Sequence, residues 1–433
     1  MRLSTANLYD TSIANLQRRQ NALQQQQEQL TSGKRVAQAS DDPTGAARAE
    51  RALATIGRVD ANQRALEASR NSMTLAESAL GDAGELLQQA RETLVAAGNG
   101  SYSDAERKGL ANKLQGLRDQ LLAIANRADG AGGYLFSGQG SSSPPFLDQA
   151  GGVAYVGVGG QIQTGNMENF QLTVDGRSAW EQAASGNGSF ETAPSAIVTD
   201  PVTGAPSVQL IDPGATAANG GVPVPLVNAN TGQAASGWID SGRVTDPSLL
   251  TGHNYRLDVT GTAPSQTYTL TDQDLGSIVS AGAFKVGEAI VADGMALTVT
   301  GKPADGDAFA VAGSQRSLKL FDALDKAIVD LNTPLRTPTQ VSQGNASAVR
   351  DIDAAMGNLQ SVRTQVGEQL NNLDGTETRL AALKQYSTEE RSAAEDLDMV
   401  QGISDFQNQQ TGYDTALKTY AMVQKMSLFQ YLT

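Results

Sequence analysis

The chain has 433 residues, a formal charge of −14 and a pI near 4.6, a balance that argues against nucleic acid or an anionic membrane surface as a main partner. Cysteine is absent, which removes disulfide and thiolate chemistry, and a single histidine leaves no material for His-pair metal motifs or most His-based triads. No apolar run is long enough to span a membrane, and Met1–Asp10 has no apolar core of the kind a secretory signal peptide needs.

The N-terminal stretch places Tyr9, Ile13, Leu16, Gln20, Leu23, Gln27 and Leu30 at alternating steps of four and three, one stripe of a helix with the 3.5-residue repeat of a coiled-coil seam. The spacing predicts a helix over 4–32 that stops at Gly33. Its charges are few and amides crowd it, as in the run Gln24–Gln27, which suits a helix surrounded by other helices. In the loop that follows, Asp42 before Pro43 reads as an N-cap with proline at the first helical position. Capping explains Asp41 and Asp42 better than a metal or acid–base pair, because no second ligand cluster accompanies them.

Val59, Leu66, Met73, Leu80, Leu87 and Leu94 then recur at strict sevens, with Ala76, Ala83, Ala90 and Ala97 three residues after their partners. Heptads sustained this long predict a long bundle helix with alanines at close approaches, ended by Gly98-Asn99-Gly100. A third helix begins at the capping box Ser103/Glu106, carries Leu110, Leu114, Leu117, Leu121, Ile124 and Ala128, and is expected to stop at Asp129-Gly130.

Composition changes at about residue 131. Residues 131–313 hold 11 of the 14 prolines, both tryptophans and the histidine, and with 5 basic against 16 acidic residues they carry −11 of the net charge. Strand-like runs at 153–158, 171–174, 255–260, 267–270, 296–300 and 308–311 alternate with turn signals at Asp175-Gly176, Asp293-Gly294 and Asp305-Gly306. Residues 181–236 read as largely irregular. Helix returns with Leu318, Phe321, Leu324 and Ile328. A long segment from Ile352 to Leu383 follows and leads through Ser387–Glu390 into a C-terminal helix. There Met399, Ile403, Phe406, Gln410, Tyr413, Leu417, Tyr420 and Gln424 repeat the four–three alternation, and Val423, Met426, Leu428, Phe429, Tyr431 and Leu432 enlarge the apolar surface.

The fold class expected is therefore multidomain and mainly α, with long antiparallel terminal helices, a coiled-coil-like bundle and an inserted β-rich outer domain. The boundaries are 1–40 plus 388–433 for a terminal helical layer, 41–180 plus 314–387 for the long-helix bundle with a β-hairpin region, and 181–313 for the acidic insertion. No catalytic, cofactor-binding or metal-binding set emerges. His253 reads as a turn histidine, Gly157–Gly160 lacks phosphate-loop spacing, and Asp272-Gln273-Asp274 and Asp305-Gly306-Asp307 lack the glutamate that would complete a calcium loop. The strongest signal is geometric: the two ends keep more apolar and amide surface than one mutual pairing buries, which calls for partners, identical copies first. The predicted assembly residues are Tyr9, Ile13, Leu16, Leu23, Leu30, Met399, Ile403, Phe406, Tyr413, Leu417, Tyr420, Val423, Met426, Leu428, Phe429, Tyr431 and Leu432.

Leu30-Thr31-Ser32-Gly33-Lys34-Arg35 with Ser40-Asp41-Asp42-Pro43 and Ala46-Ala47 resembles the N-terminal signature of the flagellin family, and Tyr420–Leu432 resembles its C-terminal signature. Met1–Thr5, Gly132–Gly138 with Pro145-Phe146, and Leu297–Phe309 resemble junction proteins of that family more than flagellin itself; residues 181–255 carry no resemblance. The resemblance implies a structural, non-enzymatic protein of the bacterial flagellum, without cofactor or membrane insertion. It would form a ring of identical subunits at the hook–filament junction, between the proximal hook-associated junction protein and flagellin. It would be exported without a cleaved signal, and a flagellar export chaperone would bind its C-terminal region. Two other readings stand beside it. One is a minor flagellin that polymerises into filament. The other is a flagellum-displayed glycan-binding insert in which Trp180, Trp238 and Tyr255 stack on sugars.

Overall fold

The computed structural model describes residues 5–149, 152–165, 168–192, 195–199, 206–210, 228–231, 235–335 and 338–429. The described helices are α1 (Thr5–Ser32), α2 (Pro43–Ala97), α3 (Asp104–Ala125), the short α4 (Gly176–Trp180), α5 (Leu320–Asn332), α6 (Pro338–Glu395) and α7 (Met399–Phe429), with the strands lying between α3 and α5. The chain is thus mainly helical at both ends with a β-rich middle, the class that the heptads and the composition change indicate. It folds into two compact units, 1–66 with 165–168 and 374–433, and 67–164 with 169–373.

In the second unit the heptad leucines do what their spacing requires. Met73, Leu80, Leu87 and Leu94, with Ala76, Ala83, Ala90 and Ala97, are all buried, and they share one core with Leu114 and Leu121 of α3, Phe321 and Leu324 of α5, and Ile352, Leu359 and Val366 of α6. The capping box at the start of α3 is present in both directions. The helix ends at Ala125, before the expected Asp129-Gly130. Asn126 turns its side-chain amide to the backbone of Phe146, donating to its carbonyl at 2.8 Å and accepting from its N–H at 2.9 Å, and Ala128 is left outside the helix and exposed.

That amide seats an antiparallel hairpin, Phe146–Gln149 with Gly152–Tyr155, over the bundle. Beneath it Phe136, Phe146, Tyr155, Trp180 and Phe321 form an aromatic cluster in which Trp180 and Phe321 stack at 5.9 Å and Phe136 meets Trp180 edge-on at 5.5 Å. Gly176 is obligatory there, since a Cβ would lie 2.3 Å from the Phe136 carbonyl oxygen. Asp175-Gly176, read as a turn, instead caps α4: Asp175 accepts from the Arg177 N–H. Arg118, buried in α3, holds Asp148 of the hairpin through two bonds (2.7 and 2.8 Å) and Asp325 of α5, tying three elements by one guanidinium.

The β-rich region has its own core. A five-stranded sheet orders its strands 277–283, 267–272, 255–260, 307–313 and 190–192. A second sheet pairs 295–301 with 289–292, 243–244 and 237–239. Tyr255, Leu257 and Val259 alternate inward, and Leu257 stands opposite both Leu270 and Phe309 in register. Asp293-Gly294 turns between 289–292 and 295–301 with both residues at positive φ, as a tight hairpin needs. The stretch expected to be irregular contains strands 183–184, 190–192, 195–199 and 206–210; its residues 211–227 lie outside the described ones. Strands 152–155 and 170–171 are shorter than their sequence runs, and Ser387–Glu390 lies inside α6, whose end falls at Glu395.

Candidate assembly interface

The flagellin-like signature around residues 30–46 forms a clip in the first unit. Gly33 stops α1 in the left-handed region, at φ 69°, where a Cβ would be strained. The backbone then pairs with the chain between α6 and α7: Arg35 N–H donates to the Glu395 carbonyl at 2.7 Å and Leu397 N–H to the Gly33 carbonyl at 2.9 Å. Side chains reinforce it. Lys34 Nζ reaches Glu395 at 3.3 Å, the Arg35 guanidinium donates to the Ala394 carbonyl at 2.8 Å, and Val36 is buried.

The two adjacent aspartates serve the same clip. Asp41 accepts from the N–H groups of Ala37 and Gln38 at 3.1 and 2.9 Å and shapes the loop. Asp42 accepts from the N–H groups of Thr44 and Gly45 and caps α2, as its place before Pro43 indicates. Those bonds, Gly45 first and then the Thr44 hydroxyl, hold the Asp42 carboxyl down at about 2. On the opposite connector Asp398 caps α7 through the N–H groups of Val400 and Gln401. Both connectors are thereby fixed, and so are the end of α1 and the start of α7.

From the clip α1 and α7 run antiparallel, Leu30 beside Gly402 and Arg19 beside Gly412. The two glycines are part of the seam. A Cβ at 402 would stand 2.8 Å from Leu397 Cδ2 and 3.3 Å from Leu30 Cδ2, and one at 412 would stand 2.5 Å from an Arg19 nitrogen. A groove of 940 Å³ follows the pair, lined by Leu16, Arg19 and Ala22 on one side and Gly412, Ala416 and Tyr420 on the other.

The predicted residues divide into two groups on this pair. Leu16, Leu23, Leu30, Phe406, Tyr413 and Tyr420 are half-buried, whereas Ile13, Met399, Ile403 and Leu417 are exposed. The face of α7 that loses solvent is Gly402, Phe406, Gln409, Gly412, Tyr413, Ala416 and Tyr420, so it is rotated partly away from the apolar stripe read from the sequence. Phe406, Tyr413 and Tyr420 of the predicted stripe are on this face, and Gly402, Gln409, Gly412 and Ala416, which hydrophobic spacing alone does not register, complete it. Tyr9, Val423, Met426, Leu428 and Phe429 lie on α1 and α7, with side chains outside the described set, and Tyr431 and Leu432 lie outside the described residues.

The stretches that hold the terminal helices and the clip are matched by two family models. The bacterial flagellin N-terminal helical region matches residues 3–141 and the bacterial flagellin C-terminal helical region matches residues 349–432. The chain belongs to the flagellin family. The chain is similar to "flagellar hook-associated protein 3" of Escherichia coli K12, with 25% identity over 442 residues covering 99% of each chain. It is also similar to the Salmonella typhimurium protein of the same name, with 37% identity over 154 residues, 35% of this chain and 48% of that one. Among solved structures it resembles Xanthomonas campestris FlgL at a TM-score of 0.61 and 28% identity, over 78% of this chain and 99% of that one. Like these flagellin-family relatives it is a structural flagellar protein and not an enzyme.

The middle region bears on the glycan reading. Trp180 and Tyr255 are both buried, one in the aromatic cluster and the other in the β core, so neither presents a face to a sugar; Trp238 is half-buried in its strand. Among the described residues no helix is long and apolar enough to cross a membrane.

Proposed function

We propose that copies of this chain form the hook–filament junction of a bacterial flagellum, and that the α1–α7 pair is the surface through which they assemble. The observation that carries this reading is the divided helix pair: one face is spent on the intrachain seam, while Ile403, Leu417, Met399 and Ile13 stay outward on helices that already have a partner. Residues 1–40 with 388–433 act as the assembly layer, 41–180 with 314–387 as the supporting bundle, and 181–313 as an acidic domain. The contacts are with identical subunits in a ring, with the proximal hook-associated junction protein on one side and with flagellin on the other. Such a ring uses heterologous contacts, one face of a subunit against a different face of the next. The chain leaves the cell through flagellar export, and a chaperone binds its C-terminal region beforehand.

Deletion of residues 1–30 or 400–433 tests this. The remainder is expected to stay folded and soluble yet fail to restore filament attachment in cells lacking the native chain; a truncated protein that supports normal filaments would refute the reading. Long filaments grown from the purified chain alone would instead favour a minor flagellin.

A further inference from the structure

We propose that the β-rich region carries a site for one divalent transition-metal ion, formed by His253, Asp272 and Asp274. In the sequence these residues read as separate turn elements, and no metal site is expected there. The strand register brings them together. Tyr255 stands opposite Asp272 at one end of the 255–260/267–272 pair, so His253 before one strand and Asp274 after the other meet at the same sheet end. The Gln273 N–H extends the ladder one step further, donating to the Asn254 carbonyl at 2.8 Å, and the Asn254 N–H donates to Asp274 at 2.8 Å.

The three side chains each offer one ligand atom, and all of these lie within 4.8 Å of one another. Ligands of a tetrahedral ion stand roughly 3.3–3.6 Å apart when bonds are about 2.0–2.2 Å, so side-chain rotations that close the set by up to about 1.5 Å complete it. The anchor of the group is rigid. Asp272 is buried, its Oδ1 takes the N–H groups of Asp274 and Leu275 at 2.9 and 3.0 Å, and its Oδ2 faces His253 Nδ1 at 2.7 Å. His253 and Asp274 reach solvent, which leaves positions for water.

Charge is the second observation. A third carboxylate, Asp293, accepts the hydroxyl of Tyr255, the residue in register with Asp272. Among the described residues no lysine or arginine pairs with Asp272, Asp274 or Asp293. Three carboxylates gathered around one imidazole, without a basic side chain, form a deficit that a dication offsets. The donor set of one imidazole nitrogen and two carboxylates selects Zn²⁺ or Mn²⁺ over the all-oxygen ions Mg²⁺ and Ca²⁺. Bound there, the ion would pin the loop before strand 255–260 to the turn after strand 267–272.

The test is a Zn²⁺ titration of the untagged full-length chain, followed by calorimetry and by the imidazole nitrogen signals in NMR, which are unambiguous because His253 is the only histidine. One Zn²⁺ per chain is expected, with a shift of the His253 nitrogens. His253→Gln and Asp274→Asn, checked by circular dichroism for an unchanged fold, are each expected to weaken binding at least tenfold, and Asp258→Asn to leave it unchanged. Three results would overturn the proposal: no heat and an unmoved imidazole, zinc binding that survives both substitutions, or displacement of Zn²⁺ by equimolar Mg²⁺.

Discussion

Replacing Ile403 and Leu417 together by aspartate separates the two faces of α7. Both side chains point outward, 48% and 41% exposed, and neither belongs to the seam with α1. In the monomer such substitutions are worth within about 0.5 kcal/mol, the usual range for surface positions away from packing. In the assembly the cost is larger. Fully burying a leucine or isoleucine side chain contributes about 1.5–3 kcal/mol, and a little under half of each surface is still exposed here. Each residue therefore has roughly 0.7–1.4 kcal/mol left to gain, about 1.5–3 for the pair. That corresponds to a loss of roughly ten- to a hundredfold in association per contact, before the penalty of burying two carboxylates. The assay has two arms: the thermal midpoint of the purified chain by circular dichroism, and swarming with filament counts in cells whose only copy is the variant. An unchanged midpoint with loss of attached filaments is expected. A variant that melts normally and carries normal filaments would refute the division of α7 into a seam and an assembly face.

The clip supplies a pH prediction. Asp42 is held at about 2 by its cap bonds, below the roughly 3.9 of an unfolded aspartate. A lowered folded-state pKa contributes stability that is fully present above pH ~4 and lost as pH falls through ~2. The gap in thermal midpoint between the native chain and Asp42→Asn should thus be constant above pH ~4 and close by pH ~2; a gap independent of pH would contradict the cap geometry. Arg118 supplies a double-mutant cycle. Arg118→Met strands the partly buried Asp325 and is expected to cost about 3 kcal/mol, the lower end for a broken buried pair because Asp148 is half exposed. Adding Asp325→Leu should recover a large part of that loss, read by urea unfolding with Trp180 fluorescence in a Trp238→Phe background; additive losses would show that the pair is not coupled.

Much of this was legible in the residues because local chemistry decides it. The strict sevens from Val59 to Leu94 mark one face of a single helix, and the Ser103/Glu106 box and the Asp42-Pro43 start carry their own capping bonds. The β-rich middle was visible as a class, but strand 277–283 was not, because Ile278-Val279 is followed only by Ser, Ala and Gly, too short a run to show alternation. The break between α6 and α7 was misplaced because neither glycine nor proline marks it: Asp396-Leu397-Asp398 leaves the helix only because the Gly33 carbonyl and the Asp398 cap engage there. The seam of α7 keeps Phe406, Tyr413 and Tyr420 of the stripe read from the sequence, but it also uses Gly402, Gly412 and Ala416, which carry no hydrophobic signal. His253 and Asp272 are nineteen residues apart and meet only through strand register, which no local pattern reveals.

Because the chain has no cysteine, single cysteines report position without background. The most direct test places one at Ile403 or Leu417 and, as a reference, one at Leu275 on the exposed turn of the β-rich region. Maleimide labelling is then compared between the purified monomer and intact flagella. Equal labelling of all three sites in the monomer, with protection of 403 and 417 but not 275 in the flagellum, is the result expected if the outward face of α7 is the assembly surface. Cysteines at 403 and 417 that label as fast in intact flagella as in the monomer would contradict it.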